Sequence, residues 1–304
     1  MKEFYTKKIE KSPRITKLVD DLFKKLPEVE SARAILITES YKQTEGEPMI
    51  TRRAKAFEHI LDNLPIIIRD GELIVGSTTI APRGCQTYPE FSYEWLEGEF
   101  ETLATRDADP FYISDKTKQE LREANKYWKG KTTSELATSY MDPAALAAFL
   151  HEMFTVGNYY FNGVGHITVN YGKVIKYGYR YMIDEVTAAR TKCCIAEEDF
   201  PTRIHYYDAV VTSLEAVIRY AHRYSELATK LASECNDPTR KKELLEIARI
   251  TSKCPEFPAE SFQEALQSFW FVQQLLQVES SGHSISPGRF DQYMYPYFEA
   301  DFNK

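Results

Sequence analysis

A helix-rich α/β fold is what this sequence predicts, and three observations predict it. Most of the chain carries apolar residues at helical spacing, recurring at i, i+3, i+4 and i+7. A few short runs rich in β-branched residues are bounded by glycines or an Asp-Gly turn signal. With 304 residues, 43% of them hydrophobic, there is enough apolar surface for one large domain or two smaller ones. The 20 tyrosines and 17 phenylalanines argue against a disordered chain, since such rings fill cores and line pockets.

The elements follow in order. Residues 12–26 have helical spacing, interrupted by Pro27. Residues 29–31 lead into ARAILITESYKQTEG, a helix closed by Gly46. Pro48 opens PMITRRAKAFEHILDNL, whose Ile50, Ala54, Phe57, Ile60, Leu61 and Leu64 form one apolar stripe. PIIIRD and ELIVGS read as two extended segments joined by an Asp70-Gly71 turn. The loop from 81 to 93 is rich in Pro, Gly and aromatics and brings no cluster of titratable groups. Helices are predicted at 115–128, 134–153 and 173–189. NYYFNGVGHITVNYG interrupts them, with glycines that allow tight turns and a strand-like HITVN. From 205 to 249 the spacing is helical, cut in two near Asp237-Pro238. AESFQEALQSFWFVQQLLQVE is apolar on nearly all faces, which places it inside something larger. SSGHSISPGR breaks it, and FDQYMYPYFEADF follows.

Charge and cysteine usage exclude several function classes. Lys and Arg number 38 against 45 Asp and Glu, a net charge of −7. Such a surface lacks the basic stripes that nucleic-acid phosphates need. No run of about 18 apolar residues suggests a membrane span. MKEFYTKKIEKSPR has no apolar stretch of the signal-peptide kind. Cys85, Cys193, Cys194, Cys235 and Cys254 are odd in number and lack zinc spacing, which points to a reducing cytoplasm, structural thiols and no metal. Cys193-Cys194 reads as a free surface pair. Neither GxGxxG nor GxxxxGK[ST] occurs, so nucleotide binding has no support.

Two segments differ from ordinary loops. Gly163-Val164-Gly165-His166 precedes a short strand, and Gly282-His283-Ser284 follows the apolar helix. Each sets a histidine beside glycines at the end of a buried element. Glycine permits close approach of backbone and ligand, and histidine can donate, accept and move a proton. If the two converge they form a polar floor in an apolar pocket; the alternative is two core histidines, each bonded to a carbonyl. His59, His151, His205 and His222 fall in amphipathic helical stretches and read as structural. Arg289 and Asp291 either fix their loop or bind a ligand, with loop-fixing favoured. Tyr159, Tyr160 and Tyr171 read as core packing rather than pocket lining.

Longer blocks carry a resemblance. ESARAILITESYKQTEGEPMITRRAKAF followed by PIIIRDGELIVGS resembles the opening of the glycyl radical enzymes, the pyruvate formate-lyase-like family. KTTSELATSYM, MFTVGNYYFNGVGHITVNYGKV and VESSGHSISPGRFDQYMYPYFEAD are similar to its B12-independent glycerol and propane-1,2-diol dehydratase branch. The likeness runs from about residue 29 to 304. It implies that residues 1–304 are the N-terminal part of a ten-stranded α/β barrel wrapped in helices, with the active site at the barrel centre.

The resemblance also implies a chemistry. A glycyl radical near the C-terminus, installed by a radical-SAM activase, passes to a cysteine at mid-barrel. The thiyl takes a hydrogen atom from a hydroxyl-bearing carbon, and loss of water from the next carbon gives an aldehyde. His166 would bind and protonate the departing hydroxyl, and His283 and Ser284 would hold the others. The family's Gly-Cys-x-Glu loop and Arg-Val-x-Gly-Tyr motif are absent from these residues. The chain is therefore expected to be part of a longer enzyme, inactive alone and binding no cofactor itself. Its implied partners are a small polyol, the activating enzyme and the missing C-terminal half, with a homodimer allowed at full length. Uncovered strand edges and apolar faces are expected to make the isolated chain poorly soluble. Choline C–N lyase, hydroxyproline dehydratase and formate acetyltransferase-like members share the scaffold, and a non-catalytic split subunit is a third reading. The His166, His283 and Ser284 set favours a polyol over a quaternary amine, which offers no donor on nitrogen.

Overall fold

The computed structural model describes residues 10–154, 162–163, 165–281 and 284–303. Helix α1 (Pro13–Phe23) starts where the Ser12 side chain accepts from the Ile15 amide and proline takes the first helical position. Strand β1 (Glu28–Glu30) leads into α2 (Ala32–Gln43) and α3 (Met49–Asn63), the latter opened at Pro48. Of the stripe predicted for α3, Ala54, Ile60, Leu61 and Leu64 are buried and Phe57 is half-buried, while Ile50 in the first turn is exposed. Strand β2 (Gly84–Gln86) lies within the loop expected to be irregular and pairs parallel with β1, Val29 opposite Cys85. Short α4 (Glu94–Glu99) precedes α5 (Asp115–Trp128), which Ser114 caps by accepting from the Thr117 amide.

The single helix expected at 134–153 is two. A capping box between Thr132 and Glu135 opens α6 (Thr133–Ser139). Asp142 and Pro143 then end that run and open α7 (Pro143–Leu150), because proline has no amide to continue a helix while aspartate accepts from the Ala144 and Ala145 amides. Strand β3 (Ile167–Thr168) runs into α8 (Tyr171–Arg190). Next come α9 (Phe200–Glu234), α10 (Pro238–Lys253) and α11 (Phe262–Ser280), then β4 (Ile285–Ser286) and α12 (Phe290–Phe302). Helix α8 breaks at Gly178, where φ is 75° and an added Cβ would stand 2.3 Å from the Glu256 carbonyl oxygen. That break admits the 255–259 segment: the Tyr179 amide donates to Pro255 O at 2.9 Å and the Ala259 amide to Ile175 O at 2.9 Å.

The main core lies among α3, α8, α9, α10 and α11. Phe271, Tyr220 and Tyr224 meet there, each 0% exposed, and burying a side chain of this size is worth about 1.5–3 kcal/mol. A smaller core of Val29, Ala34, Phe100, Leu103, Ile113 and Leu121 sits beneath α2 and α5.

The segments on either side of Asp70-Gly71 are not strands. The turn itself is present, with the Glu72 amide donating to Arg69 O at 3.2 Å. Buried backbone must find partners, and here helix side chains supply them. Gln267 accepts from the Val75 amide at 2.8 Å and donates to Val75 O at 2.7 Å. The Ser77 amide donates to Tyr224 Oη at 3.0 Å, and Trp270 Nε1 donates to Gly76 O at 3.1 Å. Arg240 donates to Arg69 O and Glu72 O at 3.0 and 2.8 Å. One side of α11 thus meets a peptide segment, where Gln267 is satisfied through both amide atoms and Gln274 Nε2 donates to Gly76 O.

Among the described residues, no helix is long and apolar enough to cross a membrane, and no group of His, Cys, Asp and Glu is placed to hold a metal ion. All five cysteines are free thiols.

Candidate active site

Strands β3 and β4 pair in parallel, Ile167 opposite Ile285 and Thr168 opposite Ser286. This register sets His166 and Ser284 side by side, each one residue ahead of its strand. Both take a left-handed backbone at φ 56°. Histidine visits that region more readily than most residues. For a serine it is uncommon, and such conformations cost about 1–3 kcal/mol and gather at functional sites. Both side chains are exposed.

The surrounding elements hold this pair in place. Gly163 is buried against the end of α11, where an added Cβ would stand 2.5 Å from the Ser280 carbonyl oxygen. Because that neighbour is backbone, Gly163→Ala is expected to cost about 1–3 kcal/mol through overpacking. A urea midpoint that stays unchanged in this variant would show that the two segments do not touch as described. Behind β4, Tyr171 Oη donates to Gln273 Oε1, and Gln273 Nε2 donates to Ile285 O at 3.4 Å. Tyr171 itself is buried against Phe269 and Tyr293, centroids 4.7 and 6.0 Å away, so it packs the core.

His283 lies outside the described residues, as do Gly282, Val164, Tyr159 and Tyr160. Arg289 and Asp291 sit at the cap and first turn of α12. Among the other histidines, His59 pairs with Glu39 and His222 with Glu256, each at 3.1 Å. His205 Nδ1 lies 3.5 Å from Thr51 Oγ1, and His151 ends α7.

The loop from 81 to 93 corrects the sequence reading. It supplies Glu90, which is buried and is the hub of an ionic cluster. Arg33, fully buried, donates through Nη1 at 3.1 Å and Nη2 at 2.6 Å to the two Glu90 oxygens. Arg53 reaches Glu90 at 3.4 Å and pairs with Glu279 at 2.5 Å. The Arg33 guanidinium lies 3.9 Å from the centre of the Tyr88 ring. Burial opposes ionisation of Glu90, yet Arg33 and then Arg53 outweigh it and hold the carboxyl below the ordinary glutamate value. For Glu279 burial wins over Arg53 and the carboxyl is raised. Burial pushes the Tyr88 phenol up to about 12. One signal was present in the sequence: Arg53 interrupts the apolar stripe between Ile50, Ala54 and Phe57. Its partners lie in a loop with no periodicity, so spacing could not pair them.

An apolar cleft of about 440 Å³ opens beside this cluster, lined by Phe57, Val169, Val217, Leu275 and Leu276, with Arg53 and Glu279 at its polar end.

Known proteins match this arrangement over nearly the whole chain. A family model described as pyruvate formate lyase-like matches residues 5–304. A structure from work on 1,2-propanediol dehydration in Roseburia inulinivorans superposes with a TM-score of 0.95 and is 61% identical, covering 97% of this chain and 35% of that one. The glycerol-bound B12-independent glycerol dehydratase from Clostridium butyricum gives a TM-score of 0.95 and 49% identity, covering 98% and 38%. The (2S)-3-sulfopropanediol dehydratase of Klebsiella oxytoca is 33% identical over 95% of this chain and 36% of its own length. The chain therefore spans only 35–38% of the length of these relatives.

Proposed function

The chain belongs to the pyruvate formate lyase-like family, and from that premise we propose that it is the N-terminal part of a glycyl radical dehydratase that removes water from glycerol or propane-1,2-diol and releases an aldehyde. The observation that carries this reading is the β3–β4 pairing, which sets His166 beside Ser284 at the leading ends of two paired strands, with Ile285 buried behind them. Two side chains that can each donate and accept hydrogen bonds, held at neighbouring strand ends, suit the hydroxyls of a small polyol better than an apolar substrate.

In this reading the His166 imidazole hydrogen-bonds the departing hydroxyl and delivers a proton to it, which a leaving group as poor as hydroxide requires. Ser284, with His283, holds the remaining hydroxyls and so fixes which C–H bond is presented. Hydrogen-atom abstraction is supplied by the glycine and cysteine of the longer chain, activated by a separate radical-SAM enzyme. The two parallel strand pairs are consistent with a ten-stranded barrel that the longer chain completes. Free thiols and a radical glycine suit a reducing, anoxic cytoplasm.

The test is anoxic activation of the full-length polypeptide by its activating enzyme, followed by aldehyde assays with glycerol, propane-1,2-diol, trans-4-hydroxyproline and choline. Aldehyde is expected from the two polyols, and none from the 304-residue chain alone. No aldehyde from either polyol, in a sample whose radical is visible by electron paramagnetic resonance, would overturn the substrate assignment.

A further inference from the structure

The last turn of a helix leaves carbonyls without an intrahelical partner. At the end of α11 three successive ones are taken by side chains from distant parts of the chain. Tyr88 Oη donates to Gln277 O at 2.7 Å, Arg33 Nε to Val278 O at 2.6 Å, and Arg53 Nη2 to Glu279 O. The donors are coupled to one another, since Glu90 accepts from both arginines and Arg33 lies over the Tyr88 ring. Two cations at a helix C-terminus also complement its dipole. Immediately beyond this capped turn, Ser281 takes a left-handed backbone at φ 60° and the chain proceeds to Ser284 and β4.

From this geometry we infer that Arg53, held by Glu90, is a positioning residue for the candidate site: it fixes the angle at which α11 hands the chain to Ser284, and so the placement of Ser284 against His166. Arg33 is fully enclosed, and its bonds to Glu90 are explained by the need to satisfy a buried charge. Arg53 is different. Its side chain is about a quarter exposed, so water could solvate it, yet it takes both the side chain and the main-chain carbonyl of Glu279. A planar fork can do this and a lysine ammonium cannot do it equally well. The inference rests on the proposed function only in assigning Ser284 to substrate.

The test compares Arg53→Met and Arg53→Lys in the full-length polypeptide. Amide hydrogen exchange in residues 277–286 is expected to quicken by about tenfold in Arg53→Met, while that of residues 244–251 within α10 stays unchanged. Arg53→Lys should fall between Met and wild type. Diol turnover should lose about 10–100-fold in kcat with KM moving less than about threefold, because a misplaced group fails chiefly in the transition state. Lysine should recover part of that loss. Unchanged exchange at 277–286, or an equal rise at both segments, would overturn the inference, as would wild-type kcat in Arg53→Met. If Arg53→Met does not fold, the lysine variant decides by the same comparison. If wild-type enzyme turns over no diol, the functional reading falls, and the exchange pattern still decides the role of Arg53.

Discussion

Glu90→Gln is expected to destabilise the fold by about 3–5 kcal/mol, the range for breaking a buried ion pair by removing one partner. The size of the effect follows from what remains. The Arg33 side chain is 0% exposed and keeps its charge, but its anionic partner becomes a neutral amide that can accept through one oxygen only. Arg53 loses part of its neutralisation in the same step. Removing both charges does not restore the wild type, because Arg33 also donates to Val278 O and Thr87 O. The double variant Arg33→Met with Glu90→Gln therefore stays about 1–3 kcal/mol below wild type, the cost of buried carbonyls left unbonded. Stability should also depend on pH through the two carboxyls of the cluster. Glu90 has a folded-state value below its unfolded one, so its contribution is complete above the ordinary value of about 4.3 and is lost as pH falls through the lower, folded value. Glu279 is raised, so its contribution runs the other way: it favours the fold below the ordinary value and is lost as pH rises through its folded value. Urea unfolding across this acidic range should show a steeper loss in wild type than in Glu90→Gln, partly offset by Glu279, which is raised less in the variant because the Glu90 charge no longer repels it. Equal midpoints for the two proteins near neutral pH would show that the Arg33–Glu90 pair does not stabilise the fold.

Several features of this fold could be read in the sequence, for local reasons. Helix α5 runs over the predicted 115–128 because Ser114 provides a cap and the apolar spacing ends at Trp128. The long helical region divides at Asp237-Pro238 because aspartate caps what proline begins. The error at 65–77 has a different cause. An extended, half-buried, β-branched run has the same composition whether its backbone pairs with a strand or with Gln267, Tyr224 and Trp270. Periodicity records which residues are buried and not which polar groups meet them. The same limit hid Glu90, whose arginine partners lie on two different helices. The two glycine-histidine segments stood out by composition, and the structure joins them through β3 and β4. What those residues do was suggested by resemblance to a family and not by spacing, since two satisfied core histidines would present the same pattern.

The largest effect on turnover is expected at His166. His166→Asn is the informative substitution, because asparagine tolerates the left-handed backbone that residue 166 adopts at φ 56°. Alanine there would add about 1–2 kcal/mol of backbone cost and confuse loss of chemistry with loss of the turn. Asparagine keeps a hydrogen-bond donor but has no proton to give near neutral pH. If His166 serves as the general acid, kcat in the full-length enzyme should fall by about 10²–10⁴-fold. Radical content should be unchanged and stability should stay within about 0.5 kcal/mol. Ser284→Gly supplies the comparison. It removes a hydroxyl and relieves the strained φ, so its cost should be that of one hydrogen bond, about tenfold in kcat/KM. The two roles differ in magnitude as well as in kind. A loss in His166→Asn no larger than in Ser284→Gly would mean that His166 binds the substrate and that the proton reaches the departing hydroxyl from another group.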